Sequence, residues 1–130
     1  MSTTFVAATY NIQFGRGRDG RIDLGRIVDA VRPADVIAWQ EVEQNWTRSG
    51  GIDQAADIAE RLNQYYVFGS GFDVDASRVR EDGRLENRRR RFGNMVSSRW
   101  PIRSTRTLLL PKRPLHVGYD VYRSATEAVV

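Results

Sequence analysis

At 130 residues, with 41% hydrophobic and 10% aromatic content, the chain has the size and composition of one globular domain rather than a disordered tail. The absence of cysteine excludes disulfides and thiolate metal centres and fits a reducing, cytoplasmic setting. No signal core and no run of about 18 apolar residues is present, so no membrane span is expected. The net charge of +4 is local: seven arginines between Arg78 and Arg91 face Glu81, Asp82 and Glu86, and the remaining 13 basic and 13 acidic residues balance.

The first strand-like run, Phe5-Val6-Ala7-Ala8-Thr9-Tyr10-Asn11, leads through Ile12-Gln13-Phe14 into the loop Gly15-Arg16-Gly17-Arg18-Asp19-Gly20. Asp23 suits an N-cap, and Leu24, Ile27, Val28 and Val31 follow at i, i+3, i+4 and i+7, the apolar stripe of a helix near 23–32. Pro33 stops that helix. A second strand runs from Asp35 to Glu41, with Ile37 and Trp39 alternating on its core face. After the loop Ser49-Gly50-Gly51, Ile52, Ala55, Ala56, Ala59 and Leu62 predict a second amphipathic helix near 52–63. Tyr65 to Gly69 is a short apolar strand. Residues 70–91 are polar, charged and glycine-containing, the least structured part by composition. Strand patterns resume over Phe92–Ser98 and Ile102–Leu110; Pro111 and Pro114 bracket a turn, and a last strand runs from Tyr119 to Val130.

These elements predict a single α/β domain over 1–130, with a mixed sheet and helices on one face. Such strands want cover on both faces. The final Ala128-Val129-Val130 reads like a strand cut short. The second layer is therefore expected from a missing C-terminal half or from a second chain.

Asn11 and Glu41 carry the chemistry. If their strands are parallel neighbours joined by the first helix, both side chains emerge on the sheet edge where open α/β folds gather ligands. A carboxylate beside a carboxamide can seat a hard divalent cation and a phosphate oxygen. Taken singly, each has a plainer reading: Glu41 a solvated acid, Asn11 a turn-former. Glu43 reads as solvated. Gly15-x-Gly17-x-x-Gly20, with Glu41 about 21 residues on, spells the fingerprint of a dinucleotide-binding oxidoreductase. Against it, the helix pattern does not begin until Asp23, so these glycines do not open a helix over a pyrophosphate. Arg88, Arg89, Arg90 and Arg91 read first as a solvated, mobile loop, and functionally as contacts to a phosphate backbone. On that second reading the chain is a non-catalytic nucleic-acid-binding fragment. Trp39, Trp46 and Trp100 read as core or edge packing, and His116 as a structural or surface residue.

Thr9-Tyr10-Asn11-Ile12, the helix opening at Asp23-Leu24, and Pro33-Ala34-Asp35-Val36-Ile37-Ala38-Trp39-Gln40-Glu41-Val42 together resemble the opening half of the endonuclease/exonuclease/phosphatase superfamily, the deoxyribonuclease I-like fold. Phe92-Gly93-Asn94-Met95-Val96-Ser97-Ser98-Arg99-Trp100-Pro101-Ile102 is similar to a later strand phrase of that family. The resemblance implies the first half of a four-layer α/β sandwich at roughly twice this length. It also implies hydrolysis of phosphate esters, nuclease-like or phosphatase-like, with Mg²⁺ as cofactor and Mn²⁺ as its substitute. Glu41 matches the metal-binding glutamate, and Asn11 the asparagine that helps hold the metal–phosphate assembly. The substrate is then a phosphate ester, nucleic acid among the candidates. The family's histidines and its later Asp-Asn and Asp-His pairs have no counterpart here, and His116 matches none of them. The isolated chain is accordingly expected to turn over weakly or not at all.

Overall fold

The computed structural model describes residues 4–112 and 122–130. His116, Pro114 and the beginning of the predicted last strand lie outside the described residues. Four strands, β1 (Ala7–Asn11), β2 (Val36–Gln44), β3 (Tyr65–Asp75) and β6 (Arg89–Ser98), form a mixed sheet in the order β1-β2-β6-β3. The β1–β2 pair is parallel, and β6 runs antiparallel to both β2 and β3. Two small hairpins, β4 (Arg78–Val79) with β5 (Leu85–Glu86) and β7 (Ser104–Leu109) with β8 (Ser124–Val129), complete the described strands.

Two helices follow from local chemistry. Asp23 caps α1 (Leu24–Val31) by accepting from the Arg26 amide, which leaves Leu24, Ile27 and Val28 on one buried stripe. Asp53 caps α2 (Gln54–Leu62) in the same way through the Ala56 amide, and Asn63 ends it in the left-handed conformation. The cap at Asp53 excludes Ile52, which the periodicity had included; Ile52 is exposed.

The core lies between the helices and one sheet face. Ile37, Trp39 and Val42 of β2 and Met95 of β6 are buried there with Val28, Ala55 and Ile58. The indole N–H of Trp39 donates to Ser97 Oγ at 3.0 Å, and that hydroxyl donates to Gln64 Oε1 at 2.7 Å. The one polar atom of the largest core side chain is thus satisfied.

The β7–β8 hairpin lies across the opposite face, against β3 and β6. It approaches so closely that a Cβ on Gly71 would stand 2.6 Å from the Tyr122 carbonyl oxygen. Phe5, Trp100, Leu108, Leu109, Leu110, Val129 and Val130 remain exposed. Among the described residues no helix is long and apolar enough to cross a membrane.

Residues 70–91 are the main correction to the sequence reading. β3 continues to Asp75, β6 already begins at Arg89, and β4–β5 forms a hairpin between them. Composition marks these charges as solvated, but register pairs them. Asp73 stands opposite Arg91, and Asp75 opposite Arg89. Glu86 accepts from Arg78 at 2.7 Å across the small hairpin.

Candidate active site

Asn11 ends β1, and its partner in the parallel register is Gln40. Glu41 is not the end of its strand, as the sequence suggested, because β2 continues to Gln44. Between Trp39 and Val42 the register against β6 slips by one residue, and Glu41 sits in that bulge with φ +59°. The extra residue returns Val42 to the face that Trp39 occupies; both are fully buried. It also re-aims Glu41 toward the neighbouring strand. Asn11 Nδ2 donates to Glu41 Oε1 at 3.0 Å, while Asn11 Oδ1 accepts from the Gln13 amide, also at 3.0 Å. The two predicted site residues are therefore in contact, with the amide held at both ends. Gln13, Phe14 and Asn45 also have positive φ. Such conformations cost on the order of 1 kcal/mol each and gather where geometry is under functional constraint.

Residues that the sequence reading did not assign to the site build its wall. Glu43, expected to be solvated, is fully buried. Its Oε1 accepts from Nε and Nη2 of Arg48, and its Oε2 accepts from Ser49 Oγ at 2.7 Å. The buried Gln54 joins two chain segments: its Oε1 accepts from the Glu43 amide at 3.0 Å and its Nε2 donates to the Phe14 carbonyl at 2.8 Å. Arg48, anchored on Glu43, places its guanidinium 4.0 Å from the Phe14 ring centroid and 4.8 Å from that of Trp46. These side chains frame a groove of about 350 Å³ lined by Phe14, Glu41, Trp46, Arg48, Phe72, Phe92 and Arg123.

The four consecutive arginines are not a free loop. Arg88 donates to Asn45 Oδ1 and the Gly51 carbonyl, Arg89 and Arg91 pair with Asp73, and Arg90 lies over Trp46 at 5.4 Å. None of the four lines the groove at Glu41. Gly15, Gly17 and Gly20 also fall outside a nucleotide-binding turn. The Gly17 amide bonds to the Arg21 carbonyl, Arg16 bridges to Ile22, and α1 starts only at Leu24. A tight loop closed on itself does not cradle a pyrophosphate, and the oxidoreductase reading lapses.

Over residues 8–124 the sequence matches the model of the Endonuclease/Exonuclease/phosphatase family. The chain belongs to that family. Two solved structures share its fold. An endonuclease/exonuclease/phosphatase from Beutenbergia cavernae DSM 12333 is 26% identical with a TM-score of 0.57, over 79% of this chain and 28% of that one. An endonuclease/exonuclease/phosphatase family protein from Leptotrichia buccalis C-1013-b is 16% identical with a TM-score of 0.55, over 92% of this chain and 47% of that one. The chain thus spans less than half the length of either. No match is found among curated proteins.

For a member of the endonuclease/exonuclease/phosphatase family, the donor set can be tested against a divalent cation. Among the described residues no three His, Cys, Asp or Glu side chains converge on one point. Glu41 nevertheless keeps Oε2 outside its hydrogen bond with Asn11. One carboxylate with water and phosphate oxygens is an ordinary environment for Mg²⁺, whereas Zn²⁺ would require more protein ligands. The residues fit Mg²⁺ as a partial site. The supporting residues Glu43, Arg48 and Gln54 had no local signature. Glu43 and Arg48 are five apart and Gln54 is eleven beyond Glu43, spacings that match neither helix nor strand periodicity.

Proposed function

We propose that this chain contributes the Glu41 side of a Mg²⁺-dependent phosphate-ester hydrolase centre. The observation that carries the reading is the Asn11–Glu41 contact of 3.0 Å at the β2 bulge. Family membership supports hydrolysis of a phosphate ester by attack of water. Glu41 would hold the cation through its carboxylate, with Mn²⁺ able to take the same place. The cation, once bound, would offset charge on the phosphoryl oxygens. Asn11 holds the carboxylate orientation through Nδ2. Arg48, fixed by Glu43 and still half exposed, offers its remaining N–H donors to a phosphate oxygen at the groove. Besides Glu41, the described groove lining holds no carboxylate or imidazole to act as a general base, so the reading includes low turnover by the isolated chain.

Mn²⁺ titration followed by electron paramagnetic resonance tests the ligand assignment. Binding should weaken about tenfold or more in Glu41→Gln, in line with the loss of a charged ligand; unchanged binding would remove Glu41 from the site. In a parallel assay with Mg²⁺ and a diester such as bis(4-nitrophenyl) phosphate, the chain should show weak hydrolysis that Glu41→Gln abolishes. Robust turnover abolished by that substitution would overturn the incomplete-site element of the reading.

A further inference from the structure

A bare phosphate beside Glu41 and Arg48 needs no aromatic wall, yet four rings line the same groove: Phe14, Trp46, Phe72 and Phe92. Their arrangement is held from behind. Trp46 spends its indole N–H on the Arg91 carbonyl at 2.8 Å and tilts against Phe72 at 5.8 Å, and Arg90 covers it at 5.4 Å. Trp46 therefore has no indole donor left for a ligand, and it adds ring edge and overlying guanidinium planes to the wall. Arg48 is fixed between Phe14 and Trp46, and Arg123 adds a second cation to the lining. The volume of about 350 Å³ falls at the lower end of the range for small-molecule sites and exceeds what a phosphate alone requires.

We infer that this groove is a base-stacking subsite, and that the ester handled at Glu41 is a nucleotide ester whose nucleobase packs on the aromatic wall. Rings and guanidinium planes are the surfaces on which unpaired bases stack, and the two arginines complement the adjoining phosphate. A polyol headgroup would instead require several hydrogen-bond partners. Among the polar groups of this lining, Arg48 already commits two nitrogens to Glu43. The inference deepens the phosphate-ester reading and rests on it only for the position of the phosphate.

The test is equilibrium binding to the whole chain in Mg²⁺ buffer, read by calorimetry and tryptophan quenching. The probes are a thymidine dinucleotide, the same dinucleotide with one base replaced by hydrogen, and glycerophosphoinositol. The intact dinucleotide should bind roughly tenfold or more tightly than either comparison probe, the scale of one stacked base. Trp46→Leu and Phe72→Leu should each remove most of that preference while keeping the circular-dichroism melt of the parent. If Trp46→Leu does not fold, Phe72→Leu decides. Equal or tighter binding of the base-free or inositol probe, no binding of any probe, or a preference surviving in the folded variants would overturn the inference. Glu41→Gln separates the two proposals. A base preference retained in Glu41→Gln, with metal binding unaffected by that change, would leave the subsite standing and sink the metal assignment. Metal binding lost in Glu41→Gln with no base preference in the parent chain would do the reverse.

Discussion

Glu41 and Glu43 are two residues apart in one strand and would share a face in a regular one. The structure gives them different surroundings: Glu41 is partly buried at the groove with Asn11, and Glu43 is fully buried beneath Arg48 and Ser49. Glu41 and Asn11 were legible because the phrases around them carry a family pattern. Glu43 was not, because its partners come from a turn and from the start of α2. Its burial predicts a large response to losing the partner. Arg48→Ala should destabilise the chain by about 2–4 kcal/mol, since a buried carboxylate would lose its countercharge. Urea unfolding should therefore show a lower midpoint with an unchanged slope. Arg32→Ala, which breaks an exposed pair with Asp29, should shift stability by less than about 1 kcal/mol in the same assay.

At the scale of elements, β6 is the strand on which the site is built. Both its neighbours carry an extra residue where they pass Gly93: β2 between Trp39 and Val42, and β3 between Ser70 and Phe72. A Cβ on Gly93 would collide with the Gly69 carbonyl oxygen and stand 2.8 Å from Ser70 Cα, both backbone atoms that cannot swing aside. Gly93→Ala should cost about 2–3 kcal/mol, as overpacking against the β3 backbone does, read as a lower melting temperature. An unaltered melting temperature would show that β3 shifts away from the added methyl without cost. The β4–β5 hairpin carries a separate pH prediction. The Arg78 hydrogen bond holds the Glu86 carboxyl below its ordinary value of 4.5, assisted by the charges of Arg78 and Arg80. A depressed folded-state value means the pair's contribution is complete above 4.5 and disappears as pH falls through that lower value. Amide chemical shifts of Val79 and Leu85 should hold steady through pH 4.5 and move only below it, and Glu86→Gln should abolish that transition. The hairpin was missed in the sequence because its stabilising charges read, one at a time, as solvated.

For the molecule as a whole, the uneven treatment of the two sheet faces is the leading fact. One face is closed by α1 and α2 around Trp39, while among the described residues the other carries the β7–β8 hairpin, against β3 and β6. Large apolar side chains also stay exposed, among them Phe5, Trp100, Leu108, Leu109, Leu110, Val129 and Val130. We propose that further chain, or a second copy, covers this face, which accords with the chain spanning 28% and 47% of its two structural relatives. Sedimentation velocity should then show mass rising with concentration, and Leu109→Lys with Val129→Lys should suppress that rise. A constant monomer mass over a hundredfold range of concentration would count against the proposal.

Periodicity and capping are local, so the chain order of apolar stripes, Asp23, Pro33 and the two principal strands determined an α/β layer with its helices on one face. Whether a given charge is solvated, and which way a side chain points after a bulge, depends on residues distant in sequence. Those decisions came only with tertiary packing: Glu43 beneath Arg48, Arg89, Arg90 and Arg91 drawn into β6, and Glu41 turned toward Asn11 at 3.0 Å by a single added residue in β2.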